Sequence, residues 1–187
     1  MNILKKSMVL VLPFVLSLTS GMANAAFDGD YAVANWLKTL DGGSINTGGA
    51  PLFVSLVSSD VGSLSASNQD FTIAAVAESN ISFDWNFLTS DINGSFYDPF
   101  GFLLNGNFTQ LTTNGLFDPQ SGTFTQHVNA GDVFGFRARA TDSQLGFAVT
   151  RVSNFNVTAV PEPETYAMML AGLGLIGFMS RRNSKQS

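Results

Sequence analysis

The chain contains no cysteine and one histidine among its 187 residues. Disulfide scaffolds, thiolate-bound zinc sites and cysteine nucleophiles are therefore excluded. Charged residues are also scarce, at 12%, and Lys and Arg together number nine. A nucleic-acid binder needs a clustered basic surface that displaces counterions from phosphates, so this class of protein is disfavoured. The chain is instead rich in phenylalanine, with 17 residues, which predicts one domain with a packed core.

The first 25 residues have the three parts of a secretory signal peptide. Lys5 and Lys6 give a positive start, an apolar run covers residues 8–18, and Ala23-Asn24-Ala25 has the small-x-small pattern of a cleavage site. As a helix the run would span about 16 Å, which is too short for the roughly 30 Å hydrocarbon core of a bilayer. We therefore predict cleavage after Ala25 and export of the body.

The C-terminal residues 161–187 carry a second pattern of the same general kind. Pro161-Glu162-Pro163 is followed by an apolar run over 166–179 and then by Arg181 and Arg182. As a helix the run would be about 21 Å long, which is marginal for a membrane span unless the flanking arginines reach the interface. We expect a short transmembrane helix over 166–180, with its basic end in the cytoplasm and the body outside.

This tail resembles a PEP-CTERM sorting signal, because three elements occur in a fixed order. They are Pro161-Glu162-Pro163, the glycine-rich apolar segment 171–175 and the pair Arg181-Arg182. Proteins with this signal are exported by Gram-negative bacteria that make exopolysaccharide, and an exosortase, a membrane protease-transpeptidase, is thought to recognise and remove the tail. The resemblance implies that the Pro-Glu-Pro residues are recognised by that enzyme. A membrane anchor that is never cut is the alternative.

The body, residues 26–160, alternates between apolar and polar residues. Apolar side chains occupy every second position in 81–87 and in 134–140, a period that is typical of half-buried strands. Asn105-Gly106 separates two short apolar runs and suits a type I′ turn. Short strands with turns at this spacing predict an all-β fold, an antiparallel β-sandwich of jelly-roll-like or immunoglobulin-like type. Shorter strands are predicted at 71–73, 124–128, 147–149 and 155–157.

The same body resembles, more weakly, short exported PEP-CTERM proteins of unassigned function. The similar segments are 97–101, 104–106, 108–111 and the turn Gly131-Asp132 before Phe134. This resemblance implies no activity.

The body is acidic and offers one candidate cation site. Between the two signals, twelve acidic residues outnumber four basic ones, for a net charge near −8; the basic residues are Lys38, Arg137, Arg139 and Arg151. Such a charge favours cations as partners. Asp91, Asn93 and Asp98 lie in one loop, and calcium takes several such oxygens from a flexible loop. The alternative is that these residues form Asx turns at a solvated loop tip.

The sequence gives little basis for catalysis. His127 lies in an alternating segment and is expected to be an ordinary sheet residue, and no G-x-S-x-G motif is present. The carboxylates are scattered singly, with no spacing that suggests an acid-base pair. We expect a protein that is not an enzyme and that has no cofactor other than the calcium considered above.

Carbohydrate binding agrees with both the compartment and the predicted fold. Exposed aromatic rings on β-sandwiches stack on sugars, and Asn and Asp side chains add hydrogen bonds. Tyr97 and Tyr31 are the least core-like aromatic residues and Trp36 is a third candidate, whereas Trp85 is expected to be buried. Four Asn-x-Ser/Thr sequons are candidate glycan acceptors, at Asn80, Asn93, Asn107 and Asn156.

Together these patterns predict a non-catalytic exported protein of the cell surface or extracellular matrix. We expect it to be sorted at its tail, to be held transiently at the inner membrane, and to associate with exopolysaccharide in the envelope or matrix. A carbohydrate- or calcium-binding module is the alternative. An extracellular hydrolase or an ice-binding protein is less favoured, the latter because the threonines of the body show no fixed period.

Overall fold

The computed structural model describes residues 24–25, 27–115, 119–160 and 163–183. Short 3-10 turns occur at Gly29–Tyr31, Val33–Asn35 and Gly94–Phe96, and one α-helix, α1, covers Pro163–Asn183. The strands of this part of the chain are β1 (Asn24–Ala25), β2 (Leu37–Thr39), β3 (Ser44–Asn46), β4 (Phe53–Val57), β5 (Ser67–Ala74), β6 (Ser79–Thr89), β7 (Phe100–Leu104), β8 (Asn107–Gln110), β9 (Gln120–Val128), β10 (Val133–Ala140) and β11 (Ala148–Ala159).

The strands form two antiparallel sheets. Sheet A has the order β3-β4-β11-β6-β9, with β1 added beside β11, and sheet B has the order β2-β5-β10-β7-β8. Chain neighbours often lie in different sheets: β5 is in sheet B and β6 in sheet A, and β9 and β10 are divided in the same way. This arrangement confirms the predicted antiparallel β-sandwich.

The alternation in the sequence places the aromatic residues between the sheets. On β6, Ile81, Phe83, Trp85 and Phe87 are all buried, as expected for Trp85, and polar residues occupy the positions between them. On β10, Phe134 and Phe136 are fully buried and the ring of Phe136 lies edge-on to Phe83, with centroids 4.8 Å apart. Large aromatic side chains of this kind stabilise a core without disulfides.

The turn between β7 and β8 has the predicted backbone. Asn105 has φ 51° and Gly106 has φ 81°, so both central residues adopt the positive φ that a type I′ turn requires. The Asn105 side chain also accepts the backbone N–H of Val133 at 2.9 Å and donates to the Asp132 carboxylate at 2.9 Å. The turn is thereby joined to the start of β10.

Strand β11 differs from the prediction of two short strands at 147–149 and 155–157. It is one continuous strand that pairs with β4 on one side and β6 on the other. A register shift lies between Ser153 and Asn156, and Asn154 has φ 50°. At this bulge the buried positions change from even-numbered to odd-numbered residues. The alternation is therefore regular only within each half of the strand, which is why the sequence indicated two short strands.

The two predicted signals are described only in part. Ala25 belongs to β1, whose residues pair with Asn156 and Val157, so cleavage after Ala25 would separate β1 from the body. Ala23, Pro161 and Glu162 lie outside the described residues, whereas Pro163 begins helix α1.

Helix α1 contains the segment expected to span the membrane, residues 166–180. In the described part of the chain, however, no helix combines the length and the apolar character that a membrane crossing needs. The apolar run is short and is flanked by polar residues within the helix.

Candidate functional site

Three loops meet at one end of the sandwich. They connect β4 to β5 (58–66), β6 to β7 (90–99) and β10 to β11 (141–147), and we call them the end loops. Backbone hydrogen bonds join them: Gly62 donates to Ser143 at 2.7 Å, Ser90 to Phe147 at 2.9 Å, and Thr141 to the carbonyl of Tyr97 at 2.7 Å.

Two carboxylates are buried within the end loops. Asp91 and Asp98 are each 2% exposed. Asp91 Oδ1 accepts the backbone N–H of Asn93 at 2.6 Å, while its Oδ2 is buried and has no hydrogen-bond partner. The Thr89 hydroxyl accepts the Asp91 N–H at 3.0 Å and lies 3.5 Å from Asp98 Oδ2, to which it donates. One hydroxyl therefore contacts both acidic residues.

Of the three residues predicted for a calcium site, the structure buries two. Asn93 is exposed and contributes its backbone N–H to Asp91, which is the Asx-turn geometry considered as the alternative. Among the described residues, no group of three or more His, Cys, Asp or Glu side chains is placed to hold a metal ion. A cation between Asp91 and Asp98 would therefore need neutral oxygens or water to complete its coordination.

The surroundings oppose ionisation of both carboxyl groups. Burial raises the pKa of Asp98 to about 7, with further increases from the charges of Asp91 and Asp142, against hydrogen bonds from Ser58 and Thr89 that lower it. Burial also raises the pKa of Asp91, and the charges of Asp142 and Asp60 act in the same direction. Hydrogen bonds from neutral polar groups favour the ionised form of both carboxyl groups. The described neighbours that act on them through charge, however, are all acidic.

A second candidate site lies on the outer face of sheet A. Strand pairing aligns five polar residues across the sheet, which we call the polar row: Asn46, Ser55, Arg151, Asn86 and Ser121. An apolar row lies beside it, formed by Val57, Val149 and Leu88. Leu88 and Val149 are 55% and 37% exposed.

A groove of about 420 Å³ covers the part of the two rows that β11, β6 and β9 contribute. Leu88 and Val149 form an apolar floor, and polar groups come from Asn86, Gln120 and Arg151. The Arg151 guanidinium stacks on the Phe53 ring, 3.5 Å from its centroid, which holds the cation at the groove by a cation–π contact. We call this feature the sheet-A groove.

Asp84 lies beside the groove in a fixed hydrogen-bond arrangement. It accepts the Thr123 hydroxyl at 2.6 Å and the Asn154 amide at 2.7 Å. These two hydrogen bonds, that from Thr123 first, lower the pKa of the Asp84 carboxyl. The outer face of sheet A thus presents both an ionised acceptor and the Arg151 donor.

The aromatic residues proposed from sequence for sugar stacking do not form a platform. Trp36, the third candidate, is 6% exposed and stacks on Phe71 with centroids 4.5 Å apart, so its ring belongs to the core and is not available to a sugar. Tyr31 is half-buried and its hydroxyl accepts the backbone N–H of Val76 at 3.1 Å. Tyr97 is half-buried beside Phe96 in the end loops.

His127 has the environment of a sheet-surface residue. It lies on β9 opposite Asn80, and its Nε2 is 3.4 Å from a carboxylate oxygen of Glu78. Both side chains are nearly half exposed, at 46% and 42%. An exposed pair of this kind contributes little to stability.

Several residues of these sites were not singled out from the sequence. Ser58 and Asp142 join the end-loop carboxylates because strand pairing brings their loops together, whereas Thr89 lies only two positions before Asp91 in the sequence. Asn86 did carry a signal, since it occupies a polar position of the alternating segment in β6. Nothing in the local sequence indicated that Arg151 would lie next to it.

Comparison with known structures gives distant similarities to proteins that contain carbohydrate-binding modules. The chain is similar to TmCBM61 in complex with β-1,4-galactotriose, with 11% identity over 73% of this chain and 96% of that one and a TM-score of 0.40. It is also similar to a module of Cellvibrio mixtus lichenase 5A in complex with cellotriose, with 9% identity, coverage of 69% and 95%, and a TM-score of 0.35.

A third similarity covers a small part of a larger enzyme. The cycloisomaltooligosaccharide glucanotransferase of Paenibacillus sp. matches with 14% identity and a TM-score of 0.36, over 63% of this chain and 17% of that one. This chain therefore spans under a fifth of the length of that enzyme. No curated protein matches the chain.

The C-terminal segment gives the specific match. Residues 159–183 match the PEP-CTERM protein-sorting motif, which includes the Pro161-Glu162-Pro163 sequence and all of α1. The match implies export, exosortase processing, and sorting to the cell envelope or surface. Residues 159–183 are therefore a PEP-CTERM protein-sorting motif.

Proposed function

We propose that this is a non-catalytic exported surface protein whose sandwich binds extracellular polysaccharide in the sheet-A groove. Its tail holds it at the inner membrane until an exosortase processes it. The observation that carries the binding proposal is the groove itself, in which a polar row and an apolar row lie side by side on one exposed sheet face.

The two rows match the two kinds of surface on a sugar. Aliphatic floors accept the C–H faces of a pyranose ring, while amide, hydroxyl and guanidinium groups bind its hydroxyls. Leu88 and Val149 supply the first, and Asn86, Gln120 and Arg151 supply the second. Antiparallel strands lie about 4.8 Å apart, so the polar row crosses roughly 19 Å. The groove covers its β11, β6 and β9 residues, and Ser55 and Asn46 continue the row beyond the groove, which gives room for an extended chain.

Arg151 is the most informative group in the groove. The described residues contain no salt bridge to it, because the two ion pairs found there join Arg137 to Asp70 and His127 to Glu78. Its guanidinium donors are fixed by stacking on Phe53 rather than by a carboxylate. They remain available to hydroxyl or carboxylate groups of a polysaccharide.

The binding test uses exported protein purified from its own host, titrated with exopolysaccharide from that host by calorimetry. We expect Arg151→Ala to weaken binding roughly ten- to a hundredfold, since a hydrogen bond to a charged group contributes about 1.5–3 kcal/mol. Arg139→Ala on sheet B is the matched control, with the same charge change and unchanged affinity. If both variants lost affinity equally, binding would depend on the net charge of the protein and not on the sheet-A groove, and the proposal would be wrong.

A second pair of variants tests the polar row without changing charge. Asn86→Ala removes an amide from the groove, and Asn80→Ala removes one from the same face of β6, outside the groove. We expect weaker binding with Asn86→Ala alone. If wild-type protein shows no saturable binding to polysaccharide, the binding part of the proposal is wrong, whereas the sorting part is unaffected.

The sorting proposal is tested at the tail. Replacing Pro161 and Pro163 together by Ala is expected to leave full-length C-terminal sequence on the exported protein, as measured by its intact mass. Wild-type protein is expected to lack the tail. Unchanged processing in the double variant would contradict recognition of the Pro-Glu-Pro sequence.

A further inference from the structure

The end loops contain a buried acidic oxygen without a partner. We propose that the end loops bind one calcium ion, with Asp91 and Asp98 as its carboxylate ligands. This goes beyond polysaccharide binding and rests on different residues, so either proposal can fail without the other.

The first observation is the Oδ2 atom of Asp91. The side chain is 2% exposed, Oδ1 is used by the Asn93 N–H, and Oδ2 is buried with no hydrogen-bond partner. An ionised carboxylate is only an acceptor, and leaving one of its oxygens buried and unpaired is costly. Within the described residues, the basic side chains in ion pairs contact Asp70 and Glu78 and not Asp91.

The second observation is that a second buried carboxylate lies in the same place. The Thr89 hydroxyl contacts both Asp98 Oδ2 and the Asp91 N–H, which brings the two acidic residues together around one group. Asp60 and Asp142 add negative charge from the other two end loops, and Asp60 Oδ1 accepts the Gly146 N–H at 3.2 Å. A divalent cation would neutralise charges contributed by all three loops.

The donor set is made of oxygen. The chain has no cysteine, and His127 lies on β9 at the opposite end of the sandwich from the end loops. Ser59 Oγ and Thr141 Oγ1 are further buried oxygens of the end loops without hydrogen-bond partners. Oxygen-only sites select hard cations, and an irregular set of carboxylate, hydroxyl and carbonyl oxygens suits calcium better than the strict octahedron of magnesium.

The number of acidic ligands sets the expected affinity. No third acidic or histidine side chain in the described residues completes a metal cluster, so neutral oxygens and water supply the remaining positions. Extracellular calcium sites with few charged ligands bind with Kd values of about 10⁻⁴–10⁻³ M. Calcium at millimolar concentration is therefore the relevant probe.

The test measures the Tm of the exported protein in EDTA and then in 5 mM free CaCl₂. We expect calcium to raise the Tm by about 3–8 °C, because a ligand that binds only the folded state stabilises it. Magnesium at the same concentration is expected to have a much smaller effect. No shift with calcium, or an equal shift with magnesium, would overturn the assignment.

Three variants connect the effect to the proposed ligands. Asp91→Asn and Asp98→Asn are expected to lose the calcium response, while Asp28→Asn, an exposed carboxylate outside the end loops, keeps it. In EDTA, Asp91→Asn is expected to be at least as stable as wild type, because it removes a buried charge that no cation then balances. A calcium response retained by both end-loop variants would refute the site.

A direct measurement does not depend on variants that fold. Terbium substitutes for calcium and becomes luminescent when a nearby phenol transfers excitation energy to it. Tyr97 adjoins Asp98, so we expect terbium luminescence excited through tyrosine and displaced by millimolar calcium. Absence of displaceable luminescence from the wild-type protein would count against the site.

Discussion

Replacing Trp36 by alanine tests whether this residue belongs to the core or to a sugar-binding surface. The indole is 6% exposed, stacks on Phe71 at 4.5 Å and on Phe136 at 5.6 Å, and donates its N–H to the Tyr31 carbonyl at 2.9 Å. Truncating a buried Trp costs about 3–5 kcal/mol through lost burial and the cavity left behind. With a urea m-value near 2 kcal/mol/M, the midpoint should fall by about 2 M.

The assay is urea unfolding followed by far-UV circular dichroism, paired with polysaccharide titration under conditions where the variant is folded. Trp36→Phe is expected to lose less, because it keeps a stacked ring and gives up one hydrogen bond worth about 1 kcal/mol together with part of the buried area. Both variants should bind polysaccharide with unchanged affinity. A stable Trp36→Ala variant that no longer binds polysaccharide would refute the buried placement.

Three further changes follow from the packing and the charges. Gly135→Ala should lower stability by about 1–3 kcal/mol, since a Cβ there overlaps the backbone of β5, whereas Gly48→Ala meets only a side-chain oxygen and should be nearly neutral in urea unfolding. Asp70→Asn should cost about 1–3 kcal/mol, because it removes the negative charge and keeps only one of the two oxygens that accept the 2.7 Å hydrogen bonds from Arg137. A double-mutant cycle with Arg137→Met should assign most of this loss to the coupling between the two side chains. In EDTA, the free energy of unfolding should fall as the pH rises from about 4 to about 7. The reason is that the pKa of Asp98 is about 7 in the folded state, against 3.8 as its ordinary value, so that only the folded state keeps the proton over this range. A Tm that rises over this range would contradict the raised pKa.

The alternation in the sequence predicted the sandwich because each long strand has one face in the core. β6 is the clearest case, with a buried residue at every second position from Ser79 to Thr89. The burial of Trp36 could not be predicted in this way, because the residue comes directly after a 3-10 turn and before β2, whose three residues are all exposed. No neighbouring periodicity indicated which way its ring would point.

The candidate sites were harder to predict, because they depend on strand order. Asp91 and Asp98 share one loop and were found together, but Ser58 and Asp142 come from strand ends that are distant in sequence. Arg151 and Asn86 are paired partners on β11 and β6, 65 positions apart. Local patterns identify which residues face outward, but only the register determines which of them become neighbours.

Strand β11 would have a mechanical consequence during the stage proposed above, in which the tail holds the protein at the inner membrane before processing. It occupies the middle of sheet A, begins at Ala148 beside the end loops and finishes at Ala159, where the sorting motif starts. At about 3.3 Å per residue, its length keeps the end loops roughly 35 Å from the attachment point. Tension on the tail would pull β11 along its own axis, in shear against the hydrogen bonds to β4 and β6, so that many hydrogen bonds would resist together. The end loops would then lie at the end of the molecule that is farthest from the membrane.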